Sequence, residues 1–425
     1  MMQMRRYRII GALGAAAALL VTSACAEQGG SGDGGGGASV EYGADRAEYV
    51  EALQDMEPVE LTIQSTGPQG SATGRRFEAY AEAVEDWSGG KITFNFFYSN
   101  AVAPPTEVHQ ALADGRLDIG SVMPALVPAE FPAANALNDL SHLGRQLPVD
   151  WMLQWHGIML DMSAAIDDVD EEYEAKDMKL LLPAFGSGAY MPYCAEGAES
   201  AEDVAGRGVA TQSGVQNRES EALGMNPMSI SYNEMFEALE RRVVDCALTT
   251  VTGAALGGYI AAAPHVLFDE ETGFNAPGGS IAMSLARWNE LPLAAQQLMV
   301  DRLDVLMQAN FEGAWENTSA AVEQVLSAGG SFAPLPSSAT DALAAVHDEV
   351  ERGVAEGGAV ADGEALVEMA REFEQEWADR IDALGLEGVG TSYEEFPQWY
   401  ADGAPDLQRY FDALWEGAMG ARRPA

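Results

Sequence analysis

Residues 107–120 read EVHQALADGRLDIG, and residues 234–247 read EMFEALERRVVDCA. Glu107 matches Glu234, Ala111-Leu112 matches Ala238-Leu239, and Asp118 matches Asp245 at the same offsets. Each string reads as a helix closing on a tight turn, then a buried strand that begins with an aspartate. One such string could be chance. Two suggest two α/β lobes built on a similar plan.

The residues before the first string supply the rest of a lobe. Leu61 to Ser65 is a short strand that stops at Thr66-Gly67-Pro68-Gln69-Gly70. Arg75 to Trp87 then has helical spacing, with Phe77, Tyr80, Ala81 and Val84 on one face. Ser88-Gly89-Gly90 ends it, and Ile92 to Tyr98 is β-branched and aromatic. Strand, helix, strand with short loops is the unit of an α/β domain. After the second string, Leu291 to about Ser327 has apolar residues three or four apart. Such a helix would run roughly 50 Å at 1.5 Å per residue, longer than one lobe needs, so it is expected to span both. Residues 339–425 read as acidic, helical and rich in aromatics, with a break at Gly385 to Gly390. Helices packed on the lobes are the expectation there; a lid or partner-docking segment is the alternative.

The N-terminus reads as an address. Arg5, Arg6 and Arg8 precede an apolar run from Ile9 to Val21, and Thr22-Ser23-Ala24-Cys25 follows. A basic start, a short apolar stretch and small residues make a secretory signal, and the run is too short to span a bilayer. A cysteine at that place resembles the bacterial lipoprotein signal, which implies that Cys25 is lipidated and becomes the first residue. Thr22 stands where leucine is commonest in that signal. Ala26 to Ser39 is Gly/Ser-rich, a tether of about 20 Å root-mean-square reach. The expected order is signal 1–24, anchored tether 25–39, first part of lobe I 40–187, first part of lobe II 188–275, return strand and long spanning helix 276–338, and helical extension 339–425.

The chain has 425 residues, 66 Asp+Glu against 23 Lys+Arg, and a formal charge of −43. Losing the three signal arginines takes this to −46. Lys91, Lys176 and Lys179 are the only lysines. So acidic a surface repels phosphate, which excludes a nucleic-acid partner. With Cys25 committed, Cys194 and Cys246 remain; a disulfide and two buried thiols are equally open. The spacings of metal sites are absent and the five histidines are scattered, so neither metal nor cofactor is expected. No nucleophile elbow, dinucleotide fingerprint or P-loop occurs, and an enzyme is not expected.

Phe77 to Gly90 with Lys91-Ile92-Thr93, then Ala111-Leu112, Gly115 and Leu117-Asp118-Ile119, resemble the first lobe of TRAP-transporter solute-binding proteins. The resemblance continues through Glu202 to Val209, Leu223-Gly224, Glu234, Ala238-Leu239, Val244-Asp245 and Trp288 to Pro292, covering about residues 59–335. It implies an α/β, two-lobed, periplasmic-binding-protein-like fold with mixed sheets and hinge strands. It also implies capture of an organic acid by hinge closure, for hand-off to integral membrane permease subunits. A solute-binding lipoprotein of the ATP-driven (ABC) class and a secreted hydrolase are the alternatives.

This chain departs from the family where ligand carboxylates are held. Ala210 stands where an arginine is usual, Tyr190 falls near a second, and Asp245-Cys246-Ala247-Leu248-Thr249 replaces a polar string. An arginine restored at Ala210 is therefore expected to alter ligand preference. The amides after Thr211-Gln212-Ser213-Gly214 open a helix and suit an anion. Arg75, Arg207 and Arg218 are candidate charges; Tyr190, Tyr193 and Tyr232 suit stacking on a larger ligand. Ser65, Thr66 and Thr249 complete the candidate contacts. The reading favours a monoanionic or neutral ligand over a dicarboxylate.

Overall fold

The computed structural model describes residues 38–425 apart from Ser231 and Glu387, and the side chains of Ala201, Tyr232 and Asn233 also lie outside the description. The signal, Cys25 and nearly all of the tether fall outside the described residues.

Two mixed sheets organise the chain. The first has the spatial order Ile92–Phe97, Val59–Gln64, Ile119–Val122, Gly279–Ser284, Met178–Phe185. Its first three strands are parallel, with Val59 opposite Ile92 and Ile63 opposite Ile119; the strand from Gly279 runs antiparallel to both neighbours. The second has the order Ser331–Pro334, His265–Phe268, Tyr190–Cys194, Cys246–Thr250, Gly208–Thr211, Asn226–Ser229. The two strings that opened the reading each end in a central strand of a different sheet. Alternation sorts the second sheet's side chains onto two faces. Met191, Tyr193, Ala210, Ala247 and Val266 join one apolar cluster, while Cys194, Val209, Cys246, Leu248 and Leu267 join the other.

The chain crosses between the sheets at 186–189, at 269–278 and through the helices after Ser284. The expected single helix from Leu291 is instead two, Leu293–Asp301 and Leu303–Ser327, preceded by a short helix Leu285–Glu290. Pro292, which has no N–H to continue a helix, sits at the first break. At the second, Arg302 leaves helical geometry and lays its guanidinium 3.9 Å over the Trp87 ring. The last helix has 25 residues, hence about 37 Å, and it packs on Ala72–Trp87 below the first sheet and Val251–Gly257 beside the second. It does span the lobes, at a shorter length than the sequence suggested.

The C-terminal residues form helices Ser337–Gly357, Gly363–Leu384, Phe396–Asp402 and Gln408–Leu414. Of these, Gly363–Leu384 and Gln408–Leu414 cover the helix Pro148–Ala165, which is largely apolar and buried over nearly its whole length. Trp377 lies against Gly157, its indole donating to Asp161 Oδ2 at 2.7 Å, and the Tyr410 hydroxyl donates to Leu153 O. Arg423 then reaches back to Asp301 and to the carbonyl of Val40.

Candidate functional site

The first crossing leaves the edge strand at Phe185 and enters the second sheet at Tyr190. Gly188 takes φ +133°, a left-handed region closed to most side chains. Thr252 donates to the carbonyl of Ser187 at 3.1 Å, and Asn310 of the long helix donates to that of Gly186 at 2.9 Å. Tyr190 packs against the clusters of both sheets, and burial pushes its phenol up to about 12. Above it, Tyr190 pairs with Thr250 and Met191 with Thr249 in register. Beside Phe185 lies Arg76, its guanidinium 4.3 Å from the ring and donating to Asn310 Oδ1 at 2.8 Å.

The second crossing carries Asn275, whose every polar group is engaged. Its N–H donates to Glu219, its side-chain amide donates to Asn138 O and Ser141 Oγ, and it accepts from Ser213 Oγ and Gln216 Nε2. One residue thus ties lobe I to lobe II. Helix Ser337–Gly357 adds a second tie. His347 Nε2 meets Glu219 Oε1 at 3.0 Å, and its ring stacks 3.9 Å from His142. Burial first, then His347, pushes the His142 imidazole down to about 3, so it is neutral at ordinary pH.

Beside Asn275 is a cavity of about 270 Å³ walled by both lobes. Lobe I contributes Asn135, Asn138 and Asp139; lobe II contributes Ser213, Gly214 and Arg218; Asn275 and Pro277 of the second crossing also line it. Ser213 caps the helix Gly214–Ala222 by accepting from Gln216 N, and Ser213, Gly214 and Val215 bring the partly positive start of that helix into the cavity wall. Burial pushes the Asp139 carboxyl up to about 6, opposed by Arg218. The walls offer amide donors and acceptors, a helix start and one carboxyl that is half protonated near pH 6. Such a lining orients a small polar molecule.

The expected site residues separate into three groups. Ser213, Gly214 and Arg218 line the cavity, and Tyr190 and Thr249 lie at the crossing. Ser65 is fully buried, accepting from Gly67 N within its own turn, and Thr66 is half-buried beside it. Thr211 bonds Asn217, and the Gln212 N–H donates to Gln216, both local contacts that shape the helix start. Arg75 is exposed and ion-paired with Glu316 on the long helix, while Arg207 caps the carbonyls of Glu196 and Gly197. Tyr193 is fully enclosed in the core, so it does not face a ligand space. Tyr232 opens the helix Tyr232–Glu240; its side chain lies outside the described residues. Ala210 is also fully enclosed in an apolar cluster, so an arginine there would not reach an open cleft as expected. Cys194 and Cys246 sit opposite each other on adjacent strands and are disulfide-bonded.

Asn138, Asp139, Asn275 and Arg76 were not anticipated. Arg76 was within reach: it lies four residues before Tyr80 and eight before Val84, on the apolar face of its helix. Asn275 carried no such signal, because its role depends on five partners distant in sequence.

Residues 63–357 match the bacterial extracellular solute-binding proteins, family 7. The chain belongs to this family. No curated protein matches it by sequence. Among solved structures, it is similar to a TRAP periplasmic solute-binding protein of Sulfitobacter sp. NAS-14.1 with bound β-D-galacturonate (16% identity, TM-score 0.60, covering 74% of this chain and 100% of that one). A marine-metagenome TRAP protein specific for pyroglutamate gives 15%, 0.62, 75% and 100% in the same order. One from Desulfovibrio salexigens with bound orotic acid gives 15%, 0.61, 75% and 99%. At these identities the likeness establishes the two-lobed fold. This family 7 member carries helices beyond residue 357, past the matched region. No helix among the described residues is long and apolar enough to cross a membrane.

Proposed function

We propose that the protein captures a small organic acid between its lobes and delivers it to a TRAP-type permease, tethered to the cell membrane through lipidated Cys25. The observation that carries the reading is the cavity walled by Asn138 and Asp139 on one side and Ser213, Gly214 and Arg218 on the other. A ligand touching both walls stabilises the closed arrangement over an open one, which is how binding drives hinge closure. Galacturonate, pyroglutamate and orotate, held by the structural neighbours, are each a ring bearing one carboxylate. That class suits a cavity of this size and supports a monoanionic ligand.

A thermal-shift screen over cyclic carboxylic acids tests the reading, since a ligand that binds only the folded chain raises its melting point by mass action. A hit should lose most of its effect in Asn138→Ala. A panel in which neutral sugars alone stabilise the protein would overturn the organic-acid assignment. For the anchor, Cys25→Ala should move the protein from the membrane to the soluble fraction; unchanged partitioning would remove lipidation from the proposal.

A further inference from the structure

Arg76 carries a charge that its surroundings do not balance. It is 5% exposed in a chain where acids outnumber bases 66 to 23, yet burial alone acts on its guanidinium, pushing it down to about 10. Three other well-enclosed arginines each meet an aspartate: Arg302 with Asp304 at 3.1 Å, Arg422 with Asp170 at 2.6 Å, Arg423 with Asp301 at 2.9 Å. Among the described residues Arg76 has only an amide oxygen, Asn310 Oδ1, and the faces of Phe185 and Phe77. An isolated buried charge is strongly unfavourable, and methionine would fill the same space without that cost.

The geometry of what is left over is specific. Asn310 takes Nη1, and the buried Nε has no partner. The Nε–Nη2 edge is the side of a guanidinium that meets a carboxylate through two parallel hydrogen bonds. Its location is equally specific. The same Asn310 amide that accepts from Arg76 donates to Gly186, the first residue of the crossing. Pro277 lines the interlobe cavity, and a Cβ on the next residue, Gly278, would stand 3.1 Å from the Phe185 carbonyl. Phe185 thus touches both neighbourhoods, its carbonyl beside Gly278 and its ring 4.3 Å from the guanidinium.

We propose that Arg76 is the carboxylate anchor of the ligand, contributed by the first-lobe helix in a chain whose position 210 is an enclosed alanine. The inference rests on the organic-acid reading above. Nε is enclosed in this arrangement, so the anion enters with the lobes apart, and the shift of Phe185 and Asn310 passes to Gly186. The charge of the ligand is thereby sensed at the hinge itself.

The test uses full-length protein and matched pairs that differ by one carboxylate: D-galacturonate with D-galactose, pyroglutamate with 2-pyrrolidinone, orotate with uracil, within a wider panel of cyclic acids. Wild type should prefer the acid of at least one pair. Arg76→Met should weaken that acid by about 10- to 100-fold, leave its neutral partner unchanged, and keep or raise the melting point of the unliganded protein. Arg76→Lys should retain a preference for the acid, and Arg75→Met, on the exposed side of the same helix, should behave as wild type. Equal acid binding by wild type and Arg76→Met would overturn the anchor while leaving the organic-acid reading intact. A lower melting point with parallel loss of acid and neutral partner would make Arg76 a structural residue and overturn it too. Wild type preferring no acid in the panel would overturn both.

Discussion

Asp139 shows how a single wall residue makes the seam sensitive to pH. Its folded value of about 6 stands above the ordinary 3.8 because burial penalises the carboxylate, with Arg218 opposing. The folded chain therefore holds this proton more tightly than the unfolded chain does. As pH rises through 6 the native state must bear a desolvated charge. Each tenfold difference in proton affinity is worth about 1.4 kcal/mol, so the penalty reaches at most about 3 kcal/mol. Below about pH 4 both states are protonated and the penalty is gone. Asp139→Asn should raise the melting temperature at pH 8 and leave it unchanged at pH 4. Equal melting temperatures at pH 8 would mean that solvent reaches the carboxylate. Ala210 teaches the complementary lesson. The strand pattern fixed which neighbours alternate with it, but not what covers that face. Met235, Leu239 and Tyr259 of the same cluster arrive from other elements. Ala210→Arg should therefore destabilise the fold by several kcal/mol through burial of an unpaired charge, read as a lower denaturation midpoint, and should not act as a ligand switch.

At the scale of elements, local periodicity was a good guide to strands and helices, and a poor one to their ends and coverings. The helix read from Arg75 runs Ala72–Trp87, and the strands read from Leu61 and Ile92 run Val59–Gln64 and Ile92–Phe97. The long helix was overextended because its apolar spacing continues through Arg302, where the chain leaves helical geometry. The disulfide was undecidable from composition, since cysteine is buried with or without a bond; the pairing of Cys194 with Cys246 across a ladder decides it. Its reduction should lower stability by about 2–4 kcal/mol, measured by denaturation with and without reductant. The helices after Gly357 are the part least predictable by resemblance, lying past the matched region. Their necessity is readable in what they cover: Trp151, Leu153, Trp155, Ile158 and Leu160 of one largely apolar helix. A Cβ on Gly157 would stand 2.2 Å from the Trp377 ring, so Gly157→Ala should cost about 1–3 kcal/mol by overpacking. Trp377→Ala should cost about 3–5 kcal/mol. If either leaves the unfolding midpoint unchanged, the extension is not docked on this helix.

For the whole molecule, charge and closure act on the same equilibrium. A formal charge of −43 repels an anionic ligand at long range and opposes bringing two acidic lobes together. At 1 M salt the Debye length is about 3 Å, against about 10 Å at 0.1 M, so both repulsions fade. A contact between a buried guanidinium and a carboxylate, shielded from ions, is weakened far less by the same salt. The two effects have opposite signs, and the number of charges decides between them: dozens of exposed acids are screened while one enclosed pair is nearly untouched. Affinity for an organic acid should therefore rise between 0.1 and 1 M sodium chloride, mostly through faster association, and the melting temperature should rise with it. Scattering at saturating ligand should show a smaller radius of gyration at both salt concentrations, because contacts across the seam define the closed state. Affinity that falls steeply with salt would mean that exposed arginines such as Arg218, rather than an enclosed one, hold the carboxylate.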